Sequence, residues 1–269
     1  EWLALGGGFQ AQYARGRLTN AIDYGTIGLR EGIPGAVPGA QDGFARLRGN
    51  DWSYGWNAGA LVEPLPGTRL GVAWRSDIEH RLKGRVSFRD DEAGIAQLIR
   101  SQNGFFADTN AALDLHTPQT LSFGVHQAVT DDLALMAEAQ WTDWSVFDQL
   151  TIAIDNPGQP SSVTEEEWDD TWFFALGSTY DLNDAWTLRG GIAYDQSPVK
   201  DRFRTPRIPD EDRYWLSVGA GYEPSDWLSL DATFTYIWLD DSEVQLLATD
   251  KGNDARGNLD AEYESSIMI

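Results

Sequence analysis

The chain has 269 residues, 42 acids against 20 bases and a formal net charge of −22. Such a chain repels nucleic acid, whose binding needs Lys and Arg to displace counterions. It has no cysteine, which excludes a disulfide framework and any thiolate metal site. No run approaches the ~18 apolar residues of a membrane helix, yet the chain is rich in aromatic residues, with 12 Trp.

Strand signals recur in chain order over 2–20, 51–63, 69–88, 115–129, 132–154, 171–182, 185–197, 213–223, 227–248 and 259–269. Several of these are longer than an ordinary globular strand of about six residues. Four connections are short: "PLPGT" (64–68), "TDD" (130–132), "NDA" (183–185) and "PSD" (224–226). The others, 21–50, 89–114, 155–170, 198–212 and 249–258, are long. Short turns at one end and long loops at the other are the pattern of an up-and-down barrel whose two ends meet different compartments. The chain opens "EWLALGGGF" and stops at "AEYESSIMI", both in strand-like sequence. The expectation is a single transmembrane barrel domain over 1–269, truncated at both ends.

The faces point the same way. In "YWLSVGAGY" (214–222), Tyr214, Leu216, Val218, Ala220 and Tyr222 share one face, and Trp215, Ser217, Gly219 and Gly221 the other. The same alternation places Leu70, Val72, Trp74 and Ile78 opposite Arg75, Asp77 and Glu79. It also sets Leu228, Leu230, Phe234 and Trp238 against Ser229, Asp231 and Thr235. Aromatic residues close the apolar face at both ends, as in Trp172 and Tyr180, Trp186 and Tyr194, Tyr214 and Tyr222. Trp and Tyr favour the membrane–water boundary, where the ring is buried and its polar atom stays wet. Eight steps of about 3.3 Å tilted by about 40° span roughly 20 Å, near the ~25 Å apolar band of an outer-membrane barrel. The apolar face therefore points to lipid, and the fold class expected is all-β, a transmembrane antiparallel up-and-down β-barrel.

The second face surrounds a lumen. Aromatic residues on it near the outer rim, Phe173 and Trp215, are candidates to line a hydrophobic ligand pocket. Arg75, Asp77, Glu79, Glu138, Arg189 and Asp231 are expected to pair across the interior. The three histidines, His80, His116 and His126, have no metal-ligand spacing among them. His126 faces the lumen beside Ser122, with no acid indicated to orient a catalytic pair. No enzyme activity, cofactor or metal is expected. The acidic runs "TEEEWDD" (164–170), "PDEDR" (209–213) and "WLDDSE" (238–243) read as solvated loops or, alternatively, as divalent-cation sites.

Several segments carry a family resemblance: "GWNAG" (55–59), "AWRS" (73–76), "YDQSPV" (194–199) and "IPDEDRYWLSVG" (208–219). With their surroundings, 49–84 and 186–236, they resemble the FadL/TodX family of outer-membrane transporters for fatty acids and other hydrophobic compounds. The resemblance implies a barrel of about fourteen strands, an even number like other bacterial barrels. Of these, about ten stand here. It further implies an N-terminal hatch and a lateral gap, neither within this chain, and a monomer in the outer membrane of a Gram-negative bacterium. Its partners would be a fatty acid or neutral hydrophobic ligand, with outer-membrane lipid and lipopolysaccharide around it. Basic residues near a ligand carboxylate would correspond to Arg15 and Arg17, although alternation puts both on the face of Tyr13, outward unless a bulge intervenes. Before "WFFALGSTY" this chain has "TEEEWDD" and no lysine, which raises neutral hydrocarbons as substrates. The alternative function is a general porin or structural barrel with a polar channel.

Overall fold

The computed structural model describes residues 2–159, 161–248 and 257–269. β1 (Leu3–Asp23) rises to helix α1 (Tyr24–Arg30), and β2 (Asp42–Leu65) returns beside it. β3 (Thr68–Arg75) and β4 (Ile78–Arg89) are the two halves of the next strand. Beyond helix α2 (Ile95–Asn103), β5 (Thr109–Thr117) and β6 (Thr120–Ala128) form another divided strand, followed by β7 (Leu133–Thr142) and β8 (Gln149–Ile154). The wall continues through β9 (Ser162–Glu165), β10 (Thr171–Asn183), β11 (Trp186–Asp195), β12 (Arg213–Ser225) and β13 (Leu228–Leu239). β14 (Ser242–Leu246) and β15 (Leu259–Tyr263) make a separate hairpin, and β16 (Ser266–Met268) pairs with β13.

The sheet has two tiers. The lower runs β16-β13-β12-β11-β10-β7-β6-β3-β2-β1, and the upper runs from β2 through β4, β5 and β8 to β9. β2 belongs to both, pairing with β3 through Asn57–Leu65 and with β4 through Phe44–Asn50. Every pairing is antiparallel, and neighbouring wall strands join through tight turns at the lower rim, as the short connections predict. The expected strand starting at 51 begins instead at Asp42, and the one starting at 115 begins at Thr109. The ninth ends at Leu239 rather than 248. Most of the expected 249–258 loop lies outside the described residues.

Among the described residues, no second layer covers the apolar face of the lower tier. Leu176 is 59% exposed, Ile192 57% and Val218 53%. Phe9, Trp52, Tyr54 and Trp56 are as open, and Phe9 packs edge-on against Trp56 with centroids 5.1 Å apart. A continuous apolar face this large marks a surface made for something other than water, and for strands that means hydrocarbon.

The buried core lies elsewhere, in the upper tier. Leu47, Leu82, Val86, Ala111 and Leu113 pack together on the inner face. A second cluster joins α1 and α2 above it through Tyr24, Ile33, Ala36, Ile95, Ala96 and Ile99. Asp23 caps α1 by accepting from the Thr26 amide at 2.8 Å. Asp91 accepts from the amides of Ile95 and Ala96 at the start of α2.

Between the tiers the alternation changes sense. Leu70, Val72 and Trp74 of β3 face outward, whereas Ile78, His80 and Leu82 of β4 are buried inside. Eight residues separate Arg75 from Lys83, while their β2 partners Asn57 and Asn50 are seven apart, so Ser76–Asp77 holds one extra residue. Such a bulge flips all that follows. Ser76 is fixed by donating its amide to the Trp56 carbonyl at 2.9 Å and accepting the Trp56 amide on Oγ at 3.0 Å. Gly55 is required opposite it, because a Cβ there would sit 2.8 Å from Ile78 Cγ1 and 2.9 Å from Ser76 Oγ. Two expectations are corrected by this bulge: Ile78 faces inward, and Glu79 lies outside, 3.8 Å from His116. A matching change occurs at Pro118–Gln119, since Leu113 points in and Phe123 out.

Candidate functional site: a cavity on the inner wall

Two adjacent rows of side chains on the lower inner wall define a hollow. One row, read through the register, is Trp215, Ala193, Ala175, Glu138, Gly124, Gly71 and Leu61. Bulky Trp215 and Leu61 stand at its ends with small residues and Glu138 between. The next row is Ser217, Gly191, Gly177, Met136, His126 and Arg69. Small residues in the middle of both rows leave a cavity of about 640 Å3, which Phe173 overlooks from one position above Ala175 on the same face. Sequence alternation marked Phe173 and Trp215 as lumen-facing, and both line this cavity. Leu61, Met136 and Arg69 were missed, because the register that aligns seven separate strands is not readable from any one of them.

Most of the lining is apolar, but its polar groups are informative. The Trp215 indole Nε1 and His126 Nδ1 are buried without a hydrogen-bond partner among the described residues. His126 stands directly opposite Arg69 in the strand register. Ser122 is not its partner, since its hydroxyl donates to Gln140 Oε1 at 2.9 Å. Further down the wall, Arg189 and Asp231 form the expected interior pair at 2.7 Å.

At the tier boundary His80 is 2% exposed and bridges two strands, Nδ1 3.3 Å from Asp51 Oδ2 and Nε2 3.2 Å from Gln12 Oε1. Asp51 also accepts the Arg81 amide at 3.2 Å. This polar knot separates the lower cavity from the apolar inner face of the upper tier, where Leu18, Leu115, Leu150 and Ile152 adjoin the buried cluster.

The upper loops are held by ion pairs. Arg204 is 2% exposed and reaches Glu211, Asp201 at 3.0 Å and the carbonyls of Asp210 and Glu243. Arg213 binds Asp195 at 2.9 Å and also Asp210, while Tyr194 donates to Asp212. Two of the segments that carry the family resemblance, 194–199 and 208–219, thus lock together. Burial pushes the Glu211 carboxyl up, with Arg204 opposing. In the 164–170 run, Asp169 pairs with Lys200 at 2.9 Å and Asp170 accepts the Ser145 amide at 3.0 Å. The acidic runs are thus largely engaged by the protein's own donors, and no cluster suited to a metal ion occurs among the described residues. Arg15 and Arg17, the other candidates, are exposed on the outer face in the register of Asn50 and Arg48, and neither lines the cavity.

A one-layer antiparallel wall, apolar outside and hollow inside, defines an outer-membrane β-barrel with a lumenal cavity. The chain belongs to the family described as outer membrane protein transport protein (OMPP1/FadL/TodX), whose profile matches residues 1–269. It is 31% identical over 250 residues to the long-chain fatty acid transport protein of Escherichia coli O6:H1, covering 87% of this chain and 55% of that protein. It is 34% identical over 223 residues to the 47 kDa outer membrane protein of Pasteurella multocida, covering 80% of this chain and 51% of that protein. The crystal structure of a Pseudomonas aeruginosa FadL homologue superposes with a TM-score of 0.85 at 28% identity, covering all of this chain and 62% of that one. The P. putida toluene transporter TodX shares the fold, with a TM-score of 0.62 at 13% identity over 91% of this chain and 61% of that one. The chain therefore spans a little over half the length of these relatives. Its place is the outer membrane of a Gram-negative bacterium.

Proposed function

We propose that the protein passively takes up long-chain fatty acids or related hydrophobic molecules across the outer membrane, acting as a monomer. The observation that carries this is the cavity of about 640 Å3, largely apolar in lining, between Trp215, Phe173 and Leu61. The names of its relatives, a long-chain fatty acid transport protein and a toluene transporter, support the same ligand class. Burying one methylene contributes about 0.8 kcal/mol. Complete burial of about fifteen would give roughly 12 kcal/mol, a nanomolar grip that releases slowly. Two tiers suit uptake better than one deep pocket: apolar capture under the upper loops, then partial burial in the lower cavity. In this reading Phe173 and Trp215 contact the alkyl chain, and Trp215 Nε1, His126 and Arg69 receive a carboxylate head.

Titration of the full-length protein in detergent with dodecanoate and with dodecanol, read by calorimetry, tests the proposal. Saturable binding of either ligand is expected, weakened by Phe173→Ala. Absence of binding together with large, steady conductance in a planar bilayer would overturn it in favour of a polar channel.

A further inference from the structure

A different surface of the same wall gathers a row of cations. Just above the outward aromatic pair Tyr13–Trp52, whose ring centroids lie 5.3 Å apart, the outer face of β1, β2 and β4 turns basic. Arg17, Arg48 and Arg85 stand side by side in register on three adjacent strands. Arg15 and Lys83 flank them in the row below, with Asn50 between, and Arg46 lies in the row above. All six cations are exposed and outward, while the alternate positions Leu47, Leu82 and Val86 are buried within. None of the six forms an ion pair or side-chain hydrogen bond among the described residues. The nearest pair, Arg81 with Asp114 at 3.6 Å, lies at the margin.

Three directly opposed like charges, about 5 Å apart at Cβ, destabilise a sheet unless an anion sits among them. This chain has 42 acidic residues and 20 basic ones, so leaving six bases together without a carboxylate is against the run of its composition. Their height is equally specific. Outward side chains two residues apart along a strand are roughly 6.6 Å apart, so the first cations lie within one step of the rings that mark the edge of the apolar band. On the inner face at this level Gly84 lets the strands crowd, since a Cβ there would fall 1.8 Å from the Arg48 carbonyl oxygen. That crowding holds the arginine row in a fixed array.

We propose that Arg17, Arg48 and Arg85, with Arg15, Lys83 and Arg46, bind the phosphate groups of an anionic lipid in the outer leaflet, its acyl chains lying on Phe9, Tyr13 and Trp52. Arginine suits phosphate through paired N–H donors. The site is independent of the lumenal cavity and depends only on the protein standing in the outer membrane. It also gives Arg15 and Arg17 a role that the inner pocket does not.

The test uses full-length protein in non-ionic detergent, titrated with diphosphoryl, monophosphoryl and fully dephosphorylated lipid A and read by native mass spectrometry. Affinity is expected to fall about tenfold with each phosphate removed, and to weaken with salt, as exposed charge pairs do. The combined substitution Arg17→Gln, Arg48→Gln, Arg85→Gln should abolish the preference for phosphate, and the corresponding Lys substitutions should retain most of it. Equal binding of the three lipids by the unsubstituted protein overturns the proposal without recourse to any variant. So does displacement of diphosphoryl lipid by millimolar inorganic phosphate, which would make the patch a site for free anions.

Discussion

Replacing Trp215 by Phe separates the two ligand chemistries the cavity could serve. Phe keeps most of the ring that faces the hollow and removes only the indole N–H, which has no partner among the described residues. If a carboxylate accepts a hydrogen bond from that N–H, the lost bond is one to a charged group, worth about 1.5–3 kcal/mol. At 1.4 kcal/mol per decade the dissociation constant for dodecanoate rises by roughly ten- to a hundredfold. Dodecanol has the same chain and no charge, so it should lose only the small packing difference of a conservative aromatic exchange, below about 1.5 kcal/mol. The assay is paired calorimetry of both ligands on the full-length protein and on Trp215→Phe, taking the difference of differences. A parallel loss for both ligands, or none for either, refutes the assignment of Trp215 as a carboxylate donor. The cavity would then hold its ligands by apolar burial alone.

The lipid-facing reading predicts a depth profile: Val218→Arg, midway along β12, should cost about 2–4 kcal/mol of folding free energy in bilayers, and Tyr222→Arg at the band's edge at most about 1 kcal/mol. Urea titration in vesicles measures both, and equal costs would contradict the placement. His80→Ala leaves Asp51 short of a buried partner and should destabilise by about 1–3 kcal/mol, seen as an earlier loss of the compact band on heated gels. Gly84→Val should block pairing of β2 with β4, because the Arg48 carbonyl occupies the space, and the protein should fail to reach the folded band at all. Asp23 is partly desolvated, which raises its pKa, but bonds from the Thr26 hydroxyl and the Thr26, Gly39 and Gly25 amides prevail and hold it below the ordinary value. A lowered acid stabilises above its unfolded pKa and loses that contribution as pH falls through the folded one. Pepsin cleavage within 31–40 should therefore rise steeply as the pH falls below that of free aspartate. Unchanged resistance down to the most acid conditions would show that the cap does not hold this loop.

Much of the lower tier was legible because lipid imposes one rule on every strand. "YWLSVGAGY" and its neighbours alternate cleanly, and the four tight turns between them carry Gly, Pro, Asn or Asp. The upper tier was not legible as wall. In "DGFARLRGN" (42–50) Phe44 is the one apolar residue on the outward face, beside Arg46, Arg48 and Asn50, so a search for outward apolar residues passes over a real strand. The reversal at Ser76–Asp77 was hidden for another reason. Leu70, Val72, Trp74, Ile78 and Leu82 fall on one even series, interrupted only by Ser76 and His80, and nothing along the chain shows that a single inserted residue turns its second half inward. Phe173 and Trp215 were found by parity alone, while Leu61, Met136 and Arg69 needed the pairing of distant strands. The ion pairs of 194–213 lay within segments noted for their resemblance, but which acid meets which arginine depends on the fold of the loop.

The bulge also explains why the apolar residues of one even series serve two environments. Below it the outer surroundings are hydrocarbon, and apolar residues are stable pointing out. Above it they are headgroup and water, where the same residues must point in or lose about 25 cal/mol for each Å2 left exposed. Shifting the register by one residue at the boundary meets both demands without breaking the hydrogen-bonded strand. The consequence reaches function from both sides of the wall. Turning Ile78, Leu82 and Val86 inward builds an apolar lining beneath the upper loops, and turning Arg81, Lys83 and Arg85 outward builds a basic belt at headgroup height. Gly55 permits the bulge, so a bulky residue there should damage both surfaces together, whereas substitutions at Leu82 or Arg85 should each damage only one.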